Sequence, residues 1–327
     1  MEPLVSVVIP MHDEEENAAG TIAAASASLE AEAWSYEIVP VSDGSTDGTA
    51  DVLEQVARQD ARVRPIAYGA NRGRGYALRQ GFAHARGEFV VTLDADLSYS
   101  PEVAVAMIRT LQADPDLDMV LASPYMPGGA VDGVPLVRLA LSRVGNVVLR
   151  RALPRPIWTS TGIARAYRAR ALRRLPLAAD GKEIHLEILS GAMALGMRIA
   201  EVPAVLRARR KGRSKFRPKA TVASHLLFSV LSRPADLLSY LGLLVLASGI
   251  AVGAYLFSVY LAGTLNPERP LMTIMLLLLI GGAILLSFSL LAAQIVELRK
   301  AVIRLHADVN ESRARSGDAY RGSDTRS

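Results

Sequence analysis

The chain has 327 residues, 50% of them hydrophobic, and a formal net charge of +5 at pH 7. Its mean hydropathy of +0.24 is high for an ordinary soluble protein, and the excess of apolar residues lies in the last third of the chain. The absence of cysteine excludes disulfide bonds and thiolate metal sites.

Short β-branched runs alternate with helical patterns before that apolar third. In chain order we predict a strand at 4–9 and a helix at 14–31, a strand at 37–41 and a helix at 47–59, a strand at 63–68 and a helix at 75–85, a strand at 89–93 and a helix at 101–111, and a strand at 119–122. This alternation is typical of a mostly parallel sheet with helices on both faces.

Polar segments follow each of the first four predicted strands, at 10–16, 42–48, 71–75 and 94–96. Because ligands bind open α/β sheets at the carboxyl ends of the strands, we expect these four segments to line one crevice. The five histidines show no metal-ligand spacing, so we assign none to a metal and place only His12 along the crevice.

Two of these segments allow more than one interpretation. Asp43, at the end of the second strand, is suited to accept hydrogen bonds from a nucleobase or ribose, but the same loop chemistry makes turns and helix caps, and Asp47 is better explained as such a cap. The segment 71–75 lacks the dinucleotide-binding glycine spacing. Its glycines beside arginines allow close approach to a phosphate or ribose, and a solvated loop is the alternative.

The strongest motif is Asp94-Ala95-Asp96, which follows the fourth predicted strand. Two acids at the end of an apolar strand need positive charge nearby, and a turn directly after the strand can direct both carboxylates at one ion. Mg²⁺ or Mn²⁺ takes oxygen ligands from one or two carboxylates, substrate phosphates and water. The alternative is a pair of acids that cap the helix near Pro101. We favour the metal site.

Two segments, 237–263 and 271–293, contain no charged residue, and each has the length of about 20 residues that a membrane-spanning helix needs. Buried core helices are the alternative, but these rarely stay free of charge for so long. The short connection between the two segments predicts a hairpin. Basic residues flank both outer ends and place the rest of the chain in the cytoplasm, beside anionic lipid rather than nucleic acid. They are Arg207, Arg209, Arg210, Lys211, Arg213, Lys215, Arg217 and Lys219 before the first segment and Arg299, Lys300 and Arg304 after the second.

Several of these segments together resemble the family 2 glycosyltransferases of GT-A fold. The resemblance is carried by 7–10 with 14–17, by 41–47, by 71–75 and by 93–97. Within that family the chain is similar to the polyprenyl-phosphate glycosyltransferases, the dolichol-phosphate mannose synthase group, in the segments 123–129, 165–168, 187–189 and 201–203 and in Arg209-x-x-Gly212-x-Ser214-Lys215. It implies a Rossmann-like, mostly parallel α/β sheet followed by a transmembrane hairpin.

The resemblance also implies a set of site residues. Those assigned to the donor are Pro10, His12, Glu14, Asp43, Arg72, Gly73, Asp94, Ala95, Asp96, Arg209, Ser214 and Lys215. Asp94 and Asp96 would hold Mg²⁺ or Mn²⁺, and Asp96, Arg209 and Lys215 are the catalytic candidates. Arg138, Ser142 and Arg165 would meet the acceptor phosphate. The chain departs from common family residues at His12, Ser98 and Pro124, which bears on the nucleobase and sugar more than on the reaction.

The activity implied by the resemblance is an inverting transfer of a hexose from a nucleotide sugar to polyprenyl (dolichyl or undecaprenyl) phosphate at the cytoplasmic membrane face. GDP-mannose is the first donor expected, and UDP-glucose or another UDP-sugar the next. The alternatives are a glycosyltransferase with another lipid or glycan acceptor and a catalytically silent, membrane-tethered subunit. We expect no nucleic-acid partner, and a homo-oligomer is left open.

The expected domain organisation follows from these assignments. Residues 1–215 form the cytoplasmic GT-A domain, 216–236 a juxtamembrane amphipathic segment, 237–293 the two transmembrane helices, and 294–327 a largely disordered cytoplasmic tail. The stretch 220–231 either lies in the membrane interface or is a connector helix. The first apolar run is only a strand long and is followed by four acidic residues, which is not typical of a signal peptide.

Overall fold

The computed structural model describes residues 3–133, 157–207, 234–263 and 270–323. The chain divides into two compact units, one formed by Met1–Ser224 with Ile303–Ser327 and the other by His225–Val302.

The first unit begins with the predicted alternation of strands and helices. Its elements are β1 (Val5–Met11), α1 (Glu15–Glu30), β2 (Tyr36–Asp43), α2 (Thr49–Gln59), β3 (Ile66–Tyr68), α3 (Arg74–His84), β4 (Phe89–Thr92), α4 (Glu102–Ala113) and β5 (Met119–Ser123). Each bound falls within three residues of the predicted one. The sequence pattern predicted these strands well because β2 and nearly all of β1 are buried. Buried strands are seen in a sequence as short, mostly apolar runs.

The rest of the unit adds strands to both sides of β5. These elements are β6 (Ala130–Asp132), β7 (Arg165–Arg168), α5 (Ala169–Leu172), α6 (Ile184–Ala194), β8 (Ile199–Pro203) and β9 (Val205–Arg207). The main sheet has the strand order β3-β2-β1-β4-β7-β5-β8, and β6 pairs with β9 in a second, two-stranded sheet. All neighbours in the main sheet are parallel except β7, which is antiparallel to both β4 and β5.

Helices cover both faces of the main sheet, as predicted. On one face, Val7 and Ile9 of β1 join a core cluster with Ile22 of α1 and Ile108 of α4. On the other face, Val8 packs so closely on α3 that a Cβ at Gly81 would lie 2.2 Å from a Val8 methyl carbon. Both faces of β1 are therefore covered by packed side chains, and ligands can reach this strand only at its end.

A charge cluster closes the amino end of the sheet, opposite the polar strand ends. The Glu37 side chain is 2% exposed and accepts hydrogen bonds from the Ser6 hydroxyl at 2.7 Å, from the Arg86 amide at 2.7 Å, and from the guanidinium groups of Arg64 and Arg86. Burial alone would raise the pKa of Glu37, but these hydrogen bonds outweigh it and lower the pKa.

The second unit contains the long apolar helix α7 (Pro234–Leu261) and the larger part of a second one, α8 (Pro270–Ser323). Both contain a stretch long and apolar enough to cross a membrane, Ala235–Leu261 and Pro270–Leu305. They pack closely as a hairpin, since a Cβ at Gly282 would lie 2.7 Å from the Leu246 amide nitrogen. The hydroxyl groups of Ser239 and Ser289 lie 2.6 Å apart between the two helices.

The helix α8 differs from two expectations. It continues to Ser323, well beyond the predicted end of the second span at residue 293, and takes in most of the tail that was expected to be largely disordered. Residues 283–316 contain neither glycine nor proline and are rich in alanine, leucine and arginine. This composition favours a continuous helix even where apolar periodicity is lost.

Candidate active site

The loops after β1 and β2 are joined into one rim. The Thr46 amide donates to Asp13 Oδ1 at 2.8 Å, and the Gly48 amide donates to Glu15 Oε2 at 3.0 Å. Asp47 accepts from the Glu15 amide at 3.2 Å through one carboxylate oxygen and from the amide and hydroxyl of Thr49 through the other. Asp47 therefore caps the starts of both α1 and α2, which confirms its interpretation as a cap.

Asp43 fixes the next loop against the end of β2. Its residue is 4% exposed, and its two carboxylate oxygens accept from the Arg72 amide at 2.8 Å and the Gly73 amide at 2.9 Å. Close packing accompanies these bonds, because a Cβ at Gly44 (φ +58°) would lie 2.1 Å from the Asn71 nitrogen. Asp43 thus shapes the 71–73 loop. A nucleoside would have to use the remaining lone pairs of the same carboxylate oxygens.

The Arg72 side chain is held on an aromatic support. Its guanidinium carbon lies 3.7 Å from the centroid of the Tyr76 ring, and this ring meets Tyr68 edge to face at 5.2 Å. Burial, together with the neighbouring Asp43 carboxylate, raises the pKa of Tyr68. Sequence reasoning missed both tyrosines, although an aromatic residue four positions after an arginine at a helix start is a recognisable signal.

The glycines of the 71–75 segment make room for protein rather than for a ligand. A Cβ at Gly73 (φ +99°) would lie 2.5 Å from the Asp180 carbonyl oxygen, and one at Gly75 would lie 2.4 Å from that of Ala179. The Asp180 carbonyl accepts from the amides of Gly75 and Tyr76 at 2.7 and 3.1 Å and so caps α3. The expectation of close phosphate approach here is corrected, and Gly73, whose amide donates to Asp43, is not a backbone donor for a ligand.

The acid pair lies on a turn, as predicted. The strand β4 ends at Thr92, and the Thr21 hydroxyl holds the turn by donating to the Ala95 carbonyl at 2.6 Å. Asp96 accepts from the amide of Ser98 at 3.0 Å and from its hydroxyl. The Asp96 carboxylate is thus directed at Ser98, and α4 begins after Pro101, which has no side chain that could cap it. Asp94 Oδ1 lies 3.7 Å from an Arg74 guanidinium nitrogen.

The donor set of this turn fits a hard divalent cation only in part. Two half-buried carboxylates offer oxygen ligands of the kind that Mg²⁺ and Mn²⁺ prefer. Among the described residues no group of three or more His, Cys, Asp or Glu side chains could hold a metal by itself. Substrate phosphates and water would therefore complete the coordination, as is usual for Mg²⁺ in phosphate sites.

Arg165 does not occupy the predicted acceptor site. The residue has no exposed surface, and its guanidinium donates to the carbonyls of Gly162, His185 and Ser160 at 2.7, 2.8 and 2.7 Å. Burial lowers the pKa of Arg165, opposed by the neighbouring Tyr167 hydroxyl. A phosphate cannot reach a guanidinium enclosed in this way, so the assignment of Arg165 to the acceptor phosphate is wrong.

The other predicted residues fall into two groups. Pro10 lies in β1 opposite Val41, and His12 and Glu14 follow it, with His12 Nε2 3.3 Å from Asp13 and Glu14 accepting from Asn17 at 2.8 Å. These residues share the rim with Asp43, Arg72, Asp94, Ala95 and Asp96. Arg138, Ser142, Arg209, Ser214 and Lys215 lie outside the described residues.

Comparison with known proteins identifies the family. A family model described as glycosyl transferase family 2 matches residues 6–175, just over half of the chain, which takes in the elements from β1 to α5. The chain belongs to glycosyl transferase family 2. It is therefore an enzyme that transfers a sugar, which confirms the class and family predicted from the resemblance.

Curated relatives of this family 2 transferase cover most of its length. The chain is 29% identical over 260 residues to the undecaprenyl-phosphate 4-deoxy-4-formamido-L-arabinose transferases of Salmonella paratyphi A and Salmonella dublin, with 79% of this chain and 75% of each relative covered.

Solved structures similar to this transferase share its fold. One is glucosyl-3-phosphoglycerate synthase from Mycobacterium tuberculosis in complex with Mn²⁺, UDP-glucose and phosphoglyceric acid, with a TM-score of 0.53, 20% identity and coverage of 70% of this chain and 79% of that one. Another is the same synthase with Mn²⁺, UDP and phosphoglyceric acid, with a TM-score of 0.51, 20% identity and coverage of 70% and 77%. The predicted α/β fold of GT-A type is thereby confirmed.

Proposed function

We propose that this family 2 transferase moves a hexose from a nucleotide sugar to polyprenyl phosphate at the cytoplasmic face of a membrane. The observation that carries the proposal is the Asp94-Ala95-Asp96 turn at the common rim of β1 to β4, in a chain that ends in two helices of membrane-spanning length. The Salmonella relatives support the acceptor, because their names specify undecaprenyl phosphate.

The proposed donor is a nucleotide sugar, for which two candidates can be named. The resemblance to dolichol-phosphate mannose synthases favours GDP-mannose. The M. tuberculosis structures contain UDP or UDP-glucose and support a UDP-sugar as the next candidate. We assign the nucleoside to the rim residues Pro10, His12, Glu14 and Asp43.

The main chemical problem is the approach of two anions. The diphosphate of the donor gains charge as the bond to the anomeric carbon breaks, so the site must present positive charge there. Asp94 and Asp96 would hold Mg²⁺ or Mn²⁺, which when bound supplies such charge to the diphosphate. Arg72, fixed above Tyr76, is an exposed cation on the same rim.

The acceptor needs no strong general base. A phosphate monoester has a second pKa of about 6, so its oxygen is already mostly anionic at neutral pH. That oxygen forms the new bond to the anomeric carbon while the nucleoside diphosphate leaves with the electron pair, and the anomeric configuration inverts. We assign Arg209, Ser214 and Lys215 to the leaving diphosphate and Arg138 and Ser142 to the acceptor phosphate.

The proposed organisation puts this chemistry at the membrane surface. Residues 1–215 form the catalytic domain, 216–236 a juxtamembrane segment, and α7 with the first part of α8 the membrane anchor. A polyprenyl chain stays in the bilayer, so only its phosphate must reach the site. Basic residues on both outer flanks of the hairpin favour the cytoplasmic side.

The full-length protein in vesicles should be incubated with undecaprenyl or dolichyl phosphate, Mn²⁺ and a panel of radiolabelled nucleotide sugars that includes GDP-mannose and UDP-glucose. We expect label in a lipid-linked product from one donor, and NMR of that product should show the inverted anomer. If the label is found only in a water-soluble product, polyprenyl phosphate is not the acceptor. No transfer from any donor would contradict the proposal.

A further inference from the structure

Arg74 is a cation beside the acid pair that none of the site assignments includes. It is the first residue of α3, and one of its guanidinium nitrogens lies 3.7 Å from Asp94 Oδ1. The Arg74 side chain is 37% exposed and that of Asp94 is 22% exposed. The pair therefore lies at the rim, within reach of a ligand, and is not part of the buried core.

The backbone of Arg74 is held in place from both sides. Gly73 precedes it at φ +99°, and its amide donates to Asp43. The two residues that follow Arg74 donate their amides to the Asp180 carbonyl. The start of α3 is thus fixed, and only the side chain of Arg74 is left to move.

The surroundings of Arg74 favour its contact with Asp94. His185 is buried, and its pKa is lowered well below its ordinary value by burial first and then by the charges of Arg165, Arg74 and Lys182. A neutral imidazole neither attracts the guanidinium as a carboxylate would nor repels it as an imidazolium would. Within the part of the chain that the structure describes, Asp94 is the one carboxylate within 4 Å of Arg74.

We propose that Arg74 is a positioning residue that competes with the divalent metal for Asp94 and so sets the metal affinity of the free enzyme. This inference rests on the proposed metal site. A guanidinium beside Asp94 Oδ1 and a metal ion held by Asp94 both depend on the negative charge of this one carboxylate, so binding of one weakens binding of the other. The guanidinium released from Asp94 is then available to the donor phosphates, which guanidinium groups bind well. Metal and donor binding are thereby coupled.

The test is the affinity of the full-length protein for Mn²⁺ without nucleotide, measured from the electron paramagnetic resonance signal of free Mn²⁺. Arg74→Gln should lower the dissociation constant about fivefold, since a partly exposed ion pair contributes up to about this factor. Arg74→Lys, which keeps the charge, should remain close to wild type. Arg58→Gln removes one charge from an exposed pair on α2 and should change nothing. Arg74→Met replaces Arg74→Gln if the latter does not fold.

The coupling gives a second readout. With saturating Mn²⁺, Arg74→Gln should weaken binding of UDP or GDP although it tightens binding of the metal, a combination that a purely structural role would not produce. Asp94→Asn and Asp96→Asn serve as the reference for the metal site. Mn²⁺ binding that is insensitive to both changes would refute the proposed metal site. Binding that depends on these acids but is unchanged or weakened in Arg74→Gln would overturn the inference about Arg74 alone.

Discussion

Replacement of Asp43 by asparagine should loosen the rim of the candidate site. The carboxylate of this residue is almost fully buried and accepts two backbone amides, those of Arg72 and Gly73. Asparagine has one acceptor oxygen, and its NH₂ group would face the second amide. A hydrogen bond to a charged acceptor contributes about 1.5–3 kcal/mol, and an unsatisfied buried amide costs about 1–3 kcal/mol. We therefore expect a loss of about 3 kcal/mol in the free energy of unfolding.

This loss can be followed by the fluorescence of the two tryptophans, Trp34 and Trp158, both of which lie in the unit that contains the main sheet. A change of 1 kcal/mol shifts the thermal midpoint of a domain of this size by about 2–4 °C, so Asp43→Asn should lower it by roughly 6–12 °C. The affinity for nucleotide should fall as well, because the loop that carries Arg72 is displaced. Asp132→Asn, a change of the same charge at an exposed strand residue, is the control. A midpoint within 2 °C or so of wild type would refute the structural role of Asp43.

Three further predictions follow from the same contacts. Glu37→Gln should lower the free energy of unfolding at pH 7, and urea titrations should show that the difference from wild type disappears at acid pH. The lowered pKa of Glu37 stabilises the fold fully above the ordinary value of 4.5. This contribution is lost as the pH falls through the lower pKa of the folded state. Gly75→Ala should reduce both thermal stability and nucleotide affinity, because its Cβ would lie 2.4 Å from a carbonyl oxygen. The control is Gly196→Ala, at a glycine with φ +71° and nothing within 4 Å of an added Cβ. This substitution should lower the free energy of unfolding by only about 1–2 kcal/mol and leave nucleotide affinity unchanged. Arg165→Lys should destabilise the protein by about 3 kcal/mol or more and leave the acceptor KM of the folded fraction unchanged, whereas wild-type stability with a raised acceptor KM would restore Arg165 as an acceptor ligand.

The elements of the first half of the chain could be predicted because their signals are local. Each strand from β1 to β5 is a short apolar run, and each is bounded by turn residues or a helix cap such as Asp47. The position of Asp94 and Asp96 on a turn also follows from local sequence, since the apolar run ends at Leu93. Parallel topology then brings the polar ends of neighbouring strands to one edge.

The parts that could not be predicted depend on contacts between distant segments. The strand β7 is only four residues long, has an arginine at each end, and takes its antiparallel position from its neighbours β4 and β5. The resemblance assigned Arg165 to the acceptor phosphate, and only the tertiary structure supplies the three carbonyls that enclose this arginine, a residue type that is seldom fully buried. Likewise the Asp180 segment that caps α3 and pairs with Arg79 lies 101 residues from that partner along the chain.

The central claim is that sugar transfer to polyprenyl phosphate depends on the acid pair Asp94 and Asp96. It is tested most directly by comparing wild type, Asp96→Asn and Asp132→Asn in the same vesicle assay. The measurement is the rate at which label from the nucleotide sugar enters the lipid phase in the presence of polyprenyl phosphate and Mn²⁺. We predict transfer by the wild type and by Asp132→Asn, and a loss of about 100-fold or more in Asp96→Asn, as expected when a charged group that stabilises the transition state is removed. Equal transfer by Asp96→Asn and wild type, or label that enters the lipid phase without polyprenyl phosphate, would contradict it.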